Sequence, residues 1–124
     1  MLVTICRSKI RDGRVTAREI TYEGSITIDS EIIAAAGMIP GEMVHVLNLN
    51  NGARIMTYVI EGPGGSGKIC LNGAAARFFE IGDEIIILAT ALVTEEEARA
   101  THLKIVRLGE KNRLRDTGAH PETA

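Results

Sequence analysis

The sequence predicts a mainly β protein with short helices, closed into a small barrel. Three observations carry this. Short runs rich in Ile, Val and Thr recur along a chain of 124 residues with 13 glycines and aromatic residues at only 3%, a composition suited to pleated strands joined by tight turns. Segments with helical period are few and short. The length fits one domain, and we place it at residues 1–112, followed by a flexible tail at 113–124, where the chain is charged, carries Gly118 and Pro121, and lacks apolar periodicity.

The elements follow in order. Met1 to Ile10 is β-prone, and Asp12-Gly13 predicts a tight turn that folds this stretch into an N-terminal hairpin with Val15-Thr16. Ser25 to Ile28 is a strand leading to Asp29, which caps a helix through Ala36, with Gly37 as its left-handed terminator and Ile32, Ile33 and Ala36 on the buried face. Met43 to Leu49 and Arg54 to Ile60 form two strands joined at Asn50-Asn51-Gly52. Alternation then sets Arg54, Met56 and Tyr58 on one face and turns Thr57 to the other. Ile69 to Leu71 is a short strand, Ala74 to Phe79 a helix, and Glu84 to Val93 the most apolar strand. Thr94-Glu95-Glu96-Glu97 is a capping box opening a helical turn to about Ala100, and Leu103 to Leu108 is the last strand.

Composition also excludes function classes. A net charge of −2 offers no bulk attraction to nucleic acid or anionic lipid. The apolar stretch Ile85 to Val93 is far shorter than the ~20 residues of a membrane span, and the N-terminus does not read as a secretory signal, so a cytoplasmic location is expected. Cys6 and Cys70 read as free thiols. His45, His102 and His120 are too scattered for a metal site. Gly62-Pro63-Gly64-Gly65-Ser66-Gly67-Lys68 has the spacing of a phosphate loop, but Ile69 stands where a hydroxyl would hold magnesium, and the residues after it look extended. We expect a flexible hairpin connection there, not a nucleotide site.

The chemistry concentrates at Tyr22-Glu23-Gly24-Ser25. A serine hydroxyl held against the preceding carbonyl can attack it, moving the acyl group from nitrogen to oxygen. Glycine before it tolerates the strained backbone that this needs. Elimination then frees a carboxyl end at Gly24 and leaves dehydroalanine at position 25, which hydrolyses to a pyruvoyl group. That ketone is an electrophile able to form a Schiff base with an amine and accept electrons, as pyridoxal phosphate does elsewhere. A Gly-Ser pair taken alone is a weak signal, and is far more often a flexible turn between two strands.

Ser8-Lys9-Ile10, Tyr22 to Asp29, Asn51-Gly52-Ala53-Arg54, Thr57-Tyr58 and Asn72-Gly73-Ala74-Ala75-Ala76 occur in this order, and together they resemble the pyruvoyl-dependent aspartate 1-decarboxylases from Met1 to about Asn112. The resemblance implies a double-psi β-barrel, a homotetramer with active sites between neighbouring subunits, and a precursor that cleaves itself at Gly24-Ser25 into a β chain 1–24 and an α chain 25–124. It implies a covalent pyruvoyl cofactor made from Ser25, with no metal and no pyridoxal phosphate. L-aspartate is the substrate, and β-alanine for pantothenate and coenzyme A synthesis is the product.

By the same resemblance Thr57 positions the precursor for cleavage and contacts substrate, and Gly73, Ala74 and Ala75 are substrate contacts. From their own chemistry, Asn72 to Ala76 either hold an anion with backbone N–H groups or merely pack closely. Arg54 suits a carboxylate through its planar fork, with Lys9 as a second cation if the N-terminal strand lies beside the cleaved bond. Tyr58 has a phenolic proton to return to a carbanion. Arg11 and Arg77 stand where the family usually carries histidine. The alternative is a non-catalytic small β-barrel that binds a ligand or partner and does not process itself.

Overall fold

A computed structural model of the chain describes residues 1–116. Among these residues nine strands form one continuous sheet: β1 (Leu2–Arg14), β2 (Ala17–Glu19), β3 (Ser25–Asp29), β4 (Met43–Asn48), β5 (Arg54–Gly62), β6 (Ile69–Asn72), β7 (Glu84–Thr94), β8 (Lys104–Leu108) and β9 (Leu114–Asp116), in the spatial order β2-β6-β3-β5-β4-β7-β1-β8-β9. Only Val15 and Thr16 separate β1 from β2, and the Thr16 N–H donates to the Ile69 carbonyl at 2.8 Å. One bent chain therefore ties β2, at one end of the sheet, to β1, close to the other. The result is a small barrel, with alternate residues of its longer strands, such as Ile26, Ile28, Val44, Val46, Ile85 and Ile87, sealed inside.

The strand order contains two interlocked crossings. Consecutive strands β5 and β6 are separated in the sheet by β3, parallel to the first and antiparallel to the second; consecutive strands β7 and β8 are separated by β1, antiparallel to the first and parallel to the second. Each pair straddles an earlier strand in the shape of a psi. The barrel is thus a double-psi barrel.

The helices form where their caps lie. Asp29 caps α1 (Ser30–Ala36) by accepting the Glu31 N–H, and Gly37 ends it at φ 70°. Ile32, Ile33 and Ala36 are its buried residues, as the sequence predicts. In α2 (Glu95–Ala100) both reciprocal bonds of the Thr94–Glu97 capping box are present. Gly73–Phe78 is 3₁₀ rather than α-helical.

Three expectations change. There is no N-terminal hairpin, because β1 runs unbroken through Asp12-Gly13, paired to β7 on one side and β8 on the other. Asp12 takes the positive φ of 65°, but the ladder absorbs it as an irregularity between Ile10 and Gly13. Nor do β5 and β6 form a hairpin, since β3 lies between them. The glycine-rich loop joining them is pinned instead of flexible. Finally, the expected tail from residue 113 begins with a strand, β9, paired to β8; residues 117–124, His120 among them, lie outside the described residues.

Candidate active site

Ser25 opens β3 and is fully buried, whereas Thr21, Tyr22, Glu23 and Gly24 before it are exposed. Its hydroxyl donates to the Glu23 carbonyl at 3.4 Å and accepts from the Asn72 side-chain amide at 2.9 Å. Asn72 is the direct cross-strand partner of Ser25 in the antiparallel β3–β6 ladder. The same amide nitrogen donates to Thr27 Oγ1 at 3.0 Å, and its oxygen accepts from Cys70 Sγ at 3.3 Å. Burial pushes the Cys70 thiol up, Lys68 opposes this and Glu19 adds to it. In the sequence Asn72 reads as the entry to the next turn and as the first residue of a family motif, with no role of its own at Ser25. Its role at Ser25 comes from cross-strand register, for which the linear sequence has no signal.

Gly73 follows at φ 79°, and a Cβ there would lie 2.7 Å from Gly24 Cα and 2.8 Å from Gly24 N. The Gly24 backbone is thus seated directly on Gly73. Of the next residues, Ala76 is buried, whereas Ala74 is exposed and Ala75 half-buried. Close packing and accessible backbone are both present in this one short segment.

The parallel register Ile26↔Val59 brings Tyr58 level with Ser25 on the neighbouring strand. Tyr58 is half-buried and alternates with buried Thr57 and Val59, while Arg54 and Met56 are exposed. Thr57 pairs with fully buried Val44, so it faces inward and not toward the outer face that Tyr58 shares. Lys9 lies elsewhere. The pairings Lys9↔Leu88, Leu88↔His45 and His45↔Met56 set these four residues in one row on one face, because residues opposed across a ladder point the same way. Lys9, Arg54 and Tyr58 therefore share the outward face of β1-β7-β4-β5. However, β1 is separated from β3 by β7, β4 and β5 on one side of the barrel and by β2 and β6 on the other, so within one chain Lys9 is not on a strand next to Ser25.

Behind the site, the phosphate-loop lookalike is already filled from within the fold. Asp29 Oδ1 accepts from the N–H groups of Gly65 (3.0 Å) and Glu31 (2.8 Å), and Oδ2 accepts from Gly67 (2.8 Å). The loop amides hold a carboxylate of the chain itself. Burial alone would raise the Asp29 pKa, but the N–H groups of Gly67, Glu31 and Gly65 outweigh it and hold the carboxyl below its ordinary value. Buried Asn112 locks the same loop, donating to the Gly67 and Arg14 carbonyls at 2.8 Å each.

The family model for aspartate decarboxylase matches residues 1–115. The chain belongs to the aspartate decarboxylase family. Similar proteins include the aspartate 1-decarboxylases of Carboxydothermus hydrogenoformans, 50% identical over 92% of this chain and 90% of the relative, and of Caldicellulosiruptor saccharolyticus, 49% identical over 92% and 89%. That of Listeria monocytogenes is 51% identical over 92% and 90%. These matches cover the barrel, the Gly24-Ser25 segment and Asn72 alike. Of the two departures from the family's usual histidines, Arg77 is exposed and Arg11 is half-buried, level with Arg107 of β8. Among the described residues no helix is long and apolar enough to cross a membrane.

Proposed function

We propose that this chain is a cytoplasmic aspartate 1-decarboxylase, a carboxy-lyase made as a precursor that cleaves itself between Gly24 and Ser25. Cleavage within its single barrel domain would leave a β chain 1–24 and an α chain 25–124. The observation that carries this is a buried Ser25 hydroxyl, hydrogen-bonded to Asn72, directly after a glycine seated on Gly73, in a chain with relatives about half identical along nearly its whole length. These residues fit the formation of a pyruvoyl group. Gly73 leaves room for the Gly24 backbone where any side chain would intrude, and Asn72 supplies an N–H to the attacking oxygen.

When formed, the pyruvoyl ketone supplies an electrophile for the substrate amine and a sink for the electron pair left by departing carbon dioxide. The rest is the work of ordinary side chains. Arg54 grips a carboxylate of L-aspartate through its paired N–H groups, with Lys9 adding positive charge. The N–H groups of Gly73, Ala74 and Ala75 orient the substrate, and Thr57, whose side chain faces inward, supports cleavage and then binding through its backbone. Tyr58, level with position 25, holds the proton that returns to carbon to give β-alanine for pantothenate and coenzyme A synthesis. The separation of Lys9 from Ser25 supports a homotetramer in which neighbouring subunits complete each site.

Intact mass of the purified chain, followed with time, tests the cleavage. Two fragments, divided after Gly24, are expected, and borohydride should fix labelled aspartate covalently on the 25–124 fragment. A folded chain that stays whole and unlabelled would favour the non-catalytic barrel.

A further inference from the structure

Asn72 sits in a square of side chains, all buried but the half-buried Thr27, on the outer face of β3 and β6. Register pairs Ser25 with Asn72 and Thr27 with Cys70, and Ser25, Cys70 and Asn72 are at most 3% exposed. A primary amide can sit either way round. Toward β3 that choice is open, because the hydroxyls of Ser25 and Thr27 rotate and can either accept from nitrogen or donate to oxygen. Toward β6 it is not. There the amide meets Cys70 Sγ, and a neutral thiol is a donor that meets an amide oxygen well and a poor acceptor for an N–H. The Cys70 contact, 3.3 Å from Sγ to Asn72 Oδ1, therefore sends the nitrogen toward Ser25.

We infer that Cys70 is a positioning residue for self-cleavage, its S–H holding the Asn72 amide in the orientation that donates to Ser25 Oγ. The inference rests on the cleavage proposed above. In the acyl shift an electron pair on Oγ forms a bond to the Gly24 carbonyl carbon, the bond from that carbon to the Ser25 nitrogen breaks, and the Oγ proton ends on that nitrogen. As the proton leaves, negative charge grows on Oγ, and an N–H aimed at it lowers the barrier where a carbonyl oxygen would raise it. Burial keeps the thiol protonated and so able to donate.

The test compares Cys70→Ser with Cys70→Ala in the full chain, two side chains of nearly equal size of which only one donates. Uncut precursor is isolated early and its intact mass followed. Cleavage in Cys70→Ala should slow by about two- to tenfold, the range expected for one weak hydrogen bond, while Cys70→Ser, whose hydroxyl can donate but also accept, should fall between Cys70→Ala and the native rate. Equal rates in the two variants overturn the proposal. If either folds poorly by circular dichroism, the comparison moves to an Asn72→Ala background. There Cys70→Ala should add no further slowing relative to the parent, and an undiminished effect would show that it bypasses Asn72. If the native chain never cleaves, the function proposed above fails, and the side-chain amide resonances of Asn72 decide the remainder. They should broaden more in Cys70→Ala than in Cys70→Ser, and resonances indifferent to both changes would overturn the role of Cys70.

Discussion

Gly73 has no room for a side chain, for two reasons that reinforce each other. Its φ of 79° strains any L residue, and the atoms a Cβ would strike are backbone atoms of Gly24, which cannot swing aside as a side-chain tip can. Gly73→Ala should therefore fold with a loss of about 1–2 kcal/mol from the left-handed conformation, while displacement of the scissile segment slows cleavage by about 10²-fold. Urea midpoints and intact mass on one preparation separate the two effects; a variant that cleaves at the native rate would show that Gly24 need not rest there. Tyr58 belongs to the second stage of the chemistry. Tyr58→Phe keeps the ring and its packing but removes the phenolic proton, so it should cleave normally yet form β-alanine about 10²–10⁴-fold more slowly. Near-native turnover in fully cleaved Tyr58→Phe, measured by chromatography, would assign the proton to another group. The face carrying Arg54, Met56 and Tyr58 is legible from alternation alone, because period 2 is a local property. Asn72 is not legible, because its partner at position 25 is met only across a ladder.

At the scale of elements, the parts readable from sequence are those whose signals are contiguous. Asp29 and Gly37 bracket α1, Thr94 and Glu97 bracket α2, and Asn50-Asn51-Gly52 joins β4 to β5, each within a few residues of the structure it makes. Asp12-Gly13 misleads because a turn dipeptide between two available neighbours, β7 and β8, is drawn into the ladder as an irregularity. Gly62 to Lys68 misleads differently: its glycines are needed, but to cradle Asp29 and to approach residues 111 and 112. At Gly67, for example, a Cβ would lie 2.2 Å from the Lys111 carbonyl oxygen. Since the Asp29 carboxyl is held below its ordinary value of 3.8, its ionised form stabilises the fold above that pH, and the stabilisation disappears as pH falls through the lower folded-state value. Asp29→Asn should cost about 1.5–3 kcal/mol at neutral pH and flatten the fall in urea midpoint below about pH 4. An unchanged acid limb in Asp29→Asn would mean that other carboxylates control it.

For the whole molecule, the two psi crossings decide where the chemistry can be assembled. Because β3 is threaded between β5 and β6, and β1 between β7 and β8, Ser25 and Lys9 occupy the central strands of different crossings. Four strand spacings, on the order of 19 Å along the sheet, separate these two strands on one side of the barrel, and β2 and β6 lie between them on the other. Barrel strands cannot slide to close such a gap without losing their ladders. If Lys9 acts on substrate held at position 25, it must come from another copy of the chain, and the exposed apolar residues Met43 and Met56 on its face are suited to burial against one. Ser25→Ala cannot form the cofactor and Lys9→Ala lacks the cation, so each should be inactive or nearly so alone. Co-expressed with distinct tags and purified as mixed assemblies, the pair should recover activity, since a site that takes position 25 from the Lys9→Ala chain and position 9 from the Ser25→Ala chain is intact; random pairing makes this roughly a quarter of sites. Mixed assemblies no more active than the two parents would place Lys9 and Ser25 in the same subunit's site, or Lys9 outside the site altogether.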